Sequence, residues 1–186
     1  PCDVMRGEET QLAGLVSRLG GAEAPVCMPG SHSKWVSLRD GSVQRFSTFM
    51  TGELFALLSS HSILRHSVAA QGFDAAPFLE GVTQSMRQPQ ALTAELFSIR
   101  AAGLLSDATP VAARSRLSGV LIGAELAATR SLWEGRTVHL VGAGALVEAY
   151  ALALSRLGAS PVAEDAGALT LEGLRAARET LGKAAA

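Results

Sequence analysis

The chain has 186 residues, of which 48% are hydrophobic and 18% charged, so it can bury the core of one domain or of one large lobe. Its formal net charge of −1 provides no field that attracts nucleic acid or an acidic membrane, and no apolar run reaches the roughly 18 residues of a membrane helix. We therefore expect neither a nucleic-acid partner nor membrane insertion. Two cysteines, Cys2 and Cys27, are too few for a secreted disulfide scaffold, which favours the cytoplasm. With four scattered histidines, the sequence predicts no metal site made by protein ligands.

The first fifty residues predict one helix followed by three strands. Apolar side chains recur at helical spacing after Gly7, and Gly20-Gly21 is typical of a helix end. Asp40-Gly41 separates two β-rich runs, and Asp-Gly in that position is a strong hairpin signal. The predicted elements are a helix over residues 7–20 and strands at Pro25–Met28, Lys34–Leu38 and Val43–Phe49.

Beyond Thr51 the spacing of apolar residues becomes helical. Thr51 can cap a helix that runs to Leu58, and residues 61–72 read as irregular. Three longer helices follow, and the last is apolar on more than one face, so we expect it to be deeply buried. They are predicted at 74–88, 91–106 and 110–133, with starts at Asp74, Thr93 and Thr109-Pro110.

The C-terminal third alternates strands and helices. A β-rich run enters a helix through a glycine turn, and a second short strand and a final helix follow. Such a β-α-β unit is right-handed with parallel strands. Together with the preceding strands it predicts an α/β protein, in which helices cover the faces of a mixed sheet. The elements are a strand at Arg136–Val141, a helix to about Leu157, a strand at Ser160–Ala163 and a helix at Leu169–Leu181.

The glycine turn Gly142-Ala143-Gly144 allows three interpretations. Glycine permits close backbone approach, and the following helix N-terminus offers free N–H groups, so the turn can receive a phosphate or the ribose edge of a nucleotide. It also imitates a dinucleotide fingerprint, with Glu164 or Asp165 about 20 residues further on. Against that reading, Val147 replaces the third small residue, and too few strands remain for a dinucleotide fold. The third interpretation is a purely structural turn.

Two adjacent carboxylates open the first helix, within the run MRGEETQ at residues 5–11. Glu8 and Glu9 follow a glycine and lie beside Arg6. Carboxylates at this end of a helix complement its dipole, which is one reading. The functional reading is a general base, because a carboxylate at a helix start in a cleft can accept the proton of an attacking hydroxyl.

A second polar cluster, Gly30-Ser31-His32-Ser33-Lys34, lies in the turn between the first two predicted strands. Backbone N–H groups, hydroxyls and an ammonium group suit phosphate oxygens. The GxxxxGK[ST] pattern of a P-loop is absent. The alternative is an ordinary hairpin turn.

Five segments in this order resemble the 2-keto-3-deoxygalactonokinase family. The resemblance extends from residue 4 to about residue 160, and its motifs MRGEE-x-Q and PG[ST]HSKW are specific. Ser31 stands where many relatives carry Thr, and the hydroxyl is kept. The segments are MRGEETQ, CMPGSHSKWV, DGSVQRFSTFMTGELFALL, RLSGVLIGAEL and VGAGALVEAYALAL.

The resemblance implies a kinase of the actin-like ATPase superfamily, with a ribonuclease H-like lobe. Such kinases transfer the γ-phosphate of ATP, with Mg²⁺, to the 6-hydroxyl of 2-keto-3-deoxygalactonate in galactonate catabolism. By position, Glu8 or Glu9 is the base, and Asp3 is a further candidate. The turn at 30–34 corresponds to the second phosphate loop and Gly142–Gly144 to the adenosine motif. Residues 118–126 correspond to a connector helix. Apart from the resemblance, Thr51 and Glu53 lie at a predicted helix start that can hold a sugar carboxylate or hydroxyl, with a helix cap as the alternative, and Arg6 is a further candidate for this contact.

One motif of that superfamily, the Asp-x-Gly-Thr-Thr hairpin of the N-terminal lobe, does not occur in the chain. We therefore expect residues 1–186 to form the C-terminal lobe, without its N-terminal partner, and to be inactive or very weak alone. The alternatives are a fragment of an NAD(P)-binding oxidoreductase and a non-catalytic regulator with the same fold. A lobe that exposes apolar surface can also self-associate, so a homo-oligomer is possible.

Overall fold

A computed structural model describes residues 2–184, with Pro1 and residues 185–186 outside the described part. The chain divides into two compact units. The first unit comprises the residues up to Thr48 and those from Leu132 onward, and the second comprises Phe49–Ser131. Within the described residues, no helix combines the length and apolar character needed to cross a membrane.

Eight α-helices and five strands make up the described chain, with short 3-10 helices at Ile63–His66 and Pro89–Ala91. In chain order they are α1 (Glu8–Leu19), β1 (Ala24–Met28), β2 (Ser33–Arg39), β3 (Ser42–Phe49), α2 (Thr51–His61), α3 (Ala75–Arg87), α4 (Leu92–Leu105), α5 (Pro110–Ala128), α6 (Arg130–Trp133), β4 (Thr137–Val141), α7 (Gly144–Arg156), β5 (Ser160–Glu164) and α8 (Ala166–Ala184).

The five strands form one mixed sheet in the order β3-β2-β1-β4-β5. β1 is antiparallel to β2 and parallel to β4, which is in turn parallel to β5. The predicted Asp-Gly turn joins β2 to β3, with positive φ at both Asp40 (52°) and Gly41 (70°), as a tight hairpin requires. The sheet confirms the α/β class, and its mixed pairing agrees with an actin-like lobe.

One face of the sheet is covered by α1 and α8. Leu12 and Leu15 of α1 and Leu169 of α8 pack with Val26 and Val36 of the sheet in a single buried cluster. Because side chains alternate along a strand, residues of odd number in β1 and β2 point to the other face. A buried hydrogen bond from β2 to Tyr150 shows that α7 lies on that face.

The two helices α1 and α8 cross at very close range because glycines form the crossing. A Cβ atom at Gly14 would overlap the carbonyl oxygen of Leu169, and one at Gly173 would overlap that of Thr10. Only a residue without a side chain fits such a contact. This crossing fixes how the N-terminus of α1 is presented at the edge of the sheet.

The second unit is helical and has its own apolar core, which includes Leu64, Ile99, Leu117 and Leu121. Helix α5 is buried at ten positions, which confirms the expected burial. Glycines again allow close packing, since a Cβ at Gly119 of α5 would overlap a backbone oxygen of α3.

Three sequence-based predictions for this part of the chain are wrong in detail. The helix predicted over 110–133 ends at Ala128, because Thr129 turns its hydroxyl back to the carbonyls of that helix. Thr51 does not cap α2; it is the first helical residue and follows Met50, which makes no side-chain cap. Thr93 does not start α4 either, since a 3-10 turn leads directly into Leu92.

Candidate functional site

A cavity of about 380 Å³ lies in the first unit, at the carboxyl ends of the parallel strands β1 and β4. Ligands of open α/β sheets bind outside the carboxyl ends of strands, and this volume falls within the range of small-molecule sites. The cavity is lined by Glu8, Gln11, Met28, Pro29, Gly30, Ser31, His32, Lys34, Val141, Gly142 and Ala166.

Two helices begin at this cavity. Glu8 is the first residue of α1, and Ala166 is the first residue of α8. Helix N-termini carry free N–H groups and a partial positive charge. The dipoles of both helices therefore favour negative charge at this edge of the sheet, and Glu9 and Asp165 already accept N–H groups there.

An ion pair between Glu8 and Lys34 is the main charged feature of the cavity. The Nζ atom of Lys34 lies 2.7 Å from Oε1 of Glu8, and the Lys34 side chain is only 7% exposed, against 29% for Glu8. The strand register explains the pair: Lys34 lies opposite Met28, on the sheet face that α1 covers. The other carboxylate oxygen of Glu8 accepts the Arg6 N–H at 2.8 Å.

The pKa of Glu8 is lower than that of an ordinary glutamate. Burial is the largest effect and by itself raises the pKa. The Lys34 hydrogen bond, the backbone N–H groups of Glu8 and Arg6, and the charge of Lys34 together outweigh it. Glu8 is thus held ionised by partners that would have to change before it could take a proton readily.

The other two carboxylates considered as a base lie elsewhere. Glu9 is exposed, does not line the cavity, and accepts the N–H of Gly7 at 2.7 Å. Asp3 bonds to the end of β3, with its two oxygens 2.8 Å from the Thr48 N–H and 2.7 Å from the Thr48 hydroxyl. The hydroxyl bond is the main reason that the pKa of Asp3 is lowered. Of the candidate bases, Glu8 alone faces the cavity.

Four of the five polar residues predicted for the phosphate turn line the cavity: Gly30, Ser31, His32 and Lys34. Ser33 does not. Its side chain is fully buried and shares a 3.0 Å hydrogen bond with the Tyr150 hydroxyl, while it also bonds to the Gly30 carbonyl at 3.4 Å. Ser33 lies away from the cavity because odd residues of β2 face α7. Ser33 instead links the turn to α7, through its hydrogen bonds to the Gly30 carbonyl and the Tyr150 hydroxyl.

The glycine turn contributes Gly142 to the cavity, while Ala143 and Gly144 are exposed beside it. Gly142 has a φ of 153°, and a Cβ there would come within 2.9 Å of the Val147 side chain. Val147 thus fills the space that a small third residue of a dinucleotide fingerprint would leave open.

The acidic residues that imitated the fingerprint have other partners. Glu164 lies 2.8 Å from His139 Nδ1 and 3.0 Å from a guanidinium nitrogen of Arg18, and Asp165 accepts the N–H of Ala168 at the start of α8. Glu164 thus joins β5 to β4 and α1, and Asp165 caps the N-terminus of α8. The NAD(P)-binding alternative is not supported.

The predicted contacts with the sugar acid are not brought to this cavity. Thr51 belongs to the second unit, where its buried hydroxyl donates to the carboxylate of Glu125 in α5. The contact of Thr51 with the sugar acid stays a prediction, and its hydroxyl has a buried acceptor in the protein. Glu53 is partly exposed in the first turn of α2. Arg6 is exposed in the first unit and reaches Glu8 through its backbone.

Sequence reasoning missed two residues that shape the site. Gln11 lines the cavity one helical turn after Glu8, a neighbour that helical spacing could have indicated. Tyr150 supports the phosphate turn from α7, 117 residues away from Ser33. No local sequence pattern predicts a partner at such a sequence separation.

The donors at the cavity fit a polyphosphate better than a bare cation. Lys34 supplies an ammonium group, and Ser31 and His32 of the turn add polar side chains. Within the described residues, no group of three or more His, Cys, Asp or Glu side chains could hold a metal ion. Mg²⁺ commonly binds through substrate phosphates with few protein ligands, so the residues present fit a magnesium–nucleotide complex.

Comparison with known proteins gives one consistent family. A family model described as 2-keto-3-deoxy-galactonokinase matches residues 1–177. The Probable 2-dehydro-3-deoxygalactonokinase DgoK1 of Rhizobium meliloti (strain 1021) is 46% identical, over 96% of this chain and 60% of its own length. The 2-dehydro-3-deoxygalactonokinase of Escherichia coli (strain K12) is 36% identical, over 84% of this chain and 53% of its own length.

A solved structure agrees with these relatives. The crystal structure of a Sinorhizobium meliloti protein, assigned provisionally as a 2-dehydro-3-deoxygalactonokinase, matches with a TM-score of 0.91 at 46% identity. The match covers 96% of this chain and 61% of that one. The chain thus spans between 53% and 61% of the length of the proteins it matches.

Proposed function

Because the chain belongs to the 2-keto-3-deoxy-galactonokinase family, we propose that it is part of an enzyme that phosphorylates the 6-hydroxyl of 2-keto-3-deoxygalactonate with ATP. The reaction serves galactonate catabolism in the cytoplasm. Residues 1–186 form the C-terminal, nucleotide-side lobe of that enzyme. The relatives' names support the substrate, and the shared motifs support the reaction.

The observation that carries this proposal is the Glu8–Lys34 pair at the carboxyl end of the sheet. A carboxylate and a buried ammonium group meet there beside two helix N-termini. Phosphoryl transfer needs this combination: positive groups that hold the phosphates, and a carboxylate that orients the attacking hydroxyl.

The nucleotide contacts follow from the cavity lining. Lys34, with the side chains of Ser31 and His32 and the backbone of the turn at Gly30, holds the β- and γ-phosphates. The Gly142-Ala143-Gly144 turn receives the nucleoside end, since a turn without bulky side chains lets the ligand approach the backbone. Bound Mg²⁺·ATP supplies the transferable phosphoryl group and neutralises its charge.

Glu8, and not Glu9, acts as the base in this proposal. Glu8 lines the cavity from the start of α1, while Glu9 is exposed and turned toward Gly7. A base must reach the proton that it accepts, and this geometry supports Glu8. Arg6 and Glu53 stay candidates for contacts with the sugar acid.

The test is phosphorylation of 2-keto-3-deoxygalactonate by ATP and Mg²⁺, measured in a family-length enzyme that contains this chain and in the 186-residue chain itself. We expect turnover only in the former, because the Asp-x-Gly-Thr-Thr hairpin does not occur in the chain. Glu8→Gln should lower kcat at least about 100-fold, and Glu9→Gln, the matched control, should lower it only a few-fold. No turnover of this or related keto-deoxy acids would contradict the function. A larger loss in Glu9→Gln would reverse the assignment of the base.

A further inference from the structure

Lys34 is buried as an ammonium group, and that burial demands a negative partner. Its side chain is 7% exposed, and its Nζ atom lies 2.7 Å from Glu8 Oε1. An ammonium group without a counter-charge in such a place costs several kcal/mol. Yet Lys34 also lines the cavity, so an anion that enters can reach it. The lysine therefore has one partner in the protein and room for a second.

Glu8 is bonded from two sides, and only one of them involves Lys34. Its Oε2 atom accepts the Arg6 N–H at 2.8 Å, and the residue begins α1, where the helix dipole favours a carboxylate. If Lys34 leaves, these backbone interactions remain. The four-carbon stem of lysine allows its charged group to move between neighbouring acceptors. The pair can thus separate without stranding either charge, provided that an anion replaces the carboxylate.

We propose that Lys34 exchanges partners when phosphate enters the cavity: its ammonium group leaves Glu8 for a phosphate oxygen, and Glu8 becomes free to accept a proton. This step rests on the proposed function, in which Glu8 is the base. The exchange itself breaks and forms only hydrogen bonds. In the transfer that follows, the substrate oxygen forms a bond to the γ-phosphorus, the bond between that phosphorus and the β–γ bridging oxygen breaks, and ADP leaves. The O–H bond of the substrate hydroxyl breaks, and its proton goes to a Glu8 carboxylate oxygen.

The exchange would make the base depend on the nucleotide. While Lys34 is bonded to Glu8, its hydrogen bond and charge help to keep the pKa of the carboxylate low. Once these are withdrawn, burial, the largest effect on this group, still raises its pKa. Glu8 thus becomes a better proton acceptor only when a phosphate group occupies the cavity and can replace the proton on the substrate oxygen.

The exchange can be tested without turnover, by a double-mutant cycle read out as binding of inorganic tripolyphosphate in calorimetry. The proteins are the unmodified chain, Glu8→Gln, Lys34→Met and the double variant. Competition for Lys34 predicts that Glu8→Gln tightens binding at least about 10-fold when Lys34 is present, and by less than about twofold when it is not.

Simple repulsion between Glu8 and the anion makes a different prediction. It tightens binding equally with and without Lys34, and that result would overturn the exchange, as would failure of tripolyphosphate to bind the unmodified chain. Glu9→Gln is the matched charge control and should change binding less than about twofold. If Glu8→Gln does not fold, Glu8→Asp replaces it. Aspartate keeps the charge but shortens the reach to Lys34, so binding should still tighten about threefold by competition and stay unchanged by repulsion.

The cycle and the kinase assay fail separately. A cycle with no coupling beside an active kinase would reject the exchange and leave the function standing. A coupled cycle in an enzyme without kinase activity would support the partner exchange at an anion site and reject the proposed reaction.

Discussion

The two units of the chain use buried polar groups in opposite ways. In the first unit, Lys34 and Glu8 form an ion pair, and both residues line a cavity. In the second unit, Thr51 donates to Glu125 inside the helical packing, with both residues less than a tenth exposed. A carboxylate accepts a hydrogen bond in both places. At the cavity the pair is open to a ligand, whereas in the second unit the bond joins α2 to α5.

Sheet topology explains the difference. Parallel strands β1 and β4 end side by side, and the helices connected to them begin at that edge, so polar groups converge on an open site. The second unit holds a cavity of similar volume, about 400 Å³, between α3, α4 and α5, but small apolar residues make up most of its lining. In the second unit, Gly81 and Gly119 bring α3 and α5 into backbone contact, and the buried hydroxyl of Ser85, which lies against α5, has no hydrogen-bond partner among the described residues.

The largest expected effects come from the glycine crossings, which occur in both units. Gly119→Ala and Gly173→Ala each place a methyl group on a carbonyl oxygen of the facing helix. Each should lower the free energy of unfolding by about 3 kcal/mol, measured by urea denaturation, because backbone must move to make room. Hydrogen exchange should localise the loss to residues 49–131 for Gly119→Ala and to the first unit for Gly173→Ala.

Gly182→Ala is the matched control for this prediction. Gly182 lies in the same helix as Gly173, and nothing within 4 Å would meet its Cβ. The alanine should therefore stabilise α8 by about 0.5–1 kcal/mol. Equal effects at both positions of α8 would show that the crossing is looser than described. Loss of protection across both units from either variant would show that the units unfold together.

A smaller effect, and one that depends on pH, is expected at the cavity. Glu8→Gln removes the partner of a buried ammonium group and should cost about 2 kcal/mol at pH 7. Because the folded pKa of Glu8 is lowered, its contribution is complete above the ordinary glutamate pKa of about 4.3 and is lost as the pH falls through the folded value. The stability difference between the two proteins should therefore shrink below about pH 4.

Urea denaturation at several pH values between 7 and 3 measures this effect. Glu9→Gln, which changes the same charge one residue away, should alter stability by less than about 0.5 kcal/mol at pH 7. A Glu8→Gln difference that stays constant down to pH 3 would mean that the Lys34 contact does not stabilise the folded chain.

Local signals predicted most of the fold and part of the site. The Asp40-Gly41 turn fixed a hairpin because only a few residue pairs adopt two successive positive φ angles, and the all-round apolar character of α5 indicated its burial. The Glu8 and Lys34 residues were each identified as functional. Their pairing could not be predicted, since it depends on which sheet face α1 covers and on the register of β1 with β2.

The errors arose where a distant residue competes for a local signal. Thr51 is a residue type that commonly caps helices, but its hydroxyl donates instead to Glu125, 74 residues further on. Ser33 carries a hydroxyl that suits phosphate, but side chains alternate between the two faces of β2, and that of Ser33 lies on the face of Tyr150. A hydroxyl group bonds to whichever acceptor the tertiary packing brings near it, and sequence spacing does not predict which acceptor that is.

The smallest expected effect is at Tyr150, and it tests whether support below the phosphate turn influences binding. Tyr150→Phe removes one hydrogen bond from Ser33, which keeps the Gly30 carbonyl as an acceptor, so the cost in unfolding free energy should be about 1 kcal/mol. Tripolyphosphate affinity should fall about threefold, because the turn that carries Lys34 is held less firmly. Thr51→Val is the matched control from the other unit: it also loses a buried hydroxyl bond and about 1 kcal/mol, yet it should leave that affinity unchanged. If the two variants weaken tripolyphosphate binding equally, the loss reflects general destabilisation, and Tyr150 has no particular role in positioning the turn.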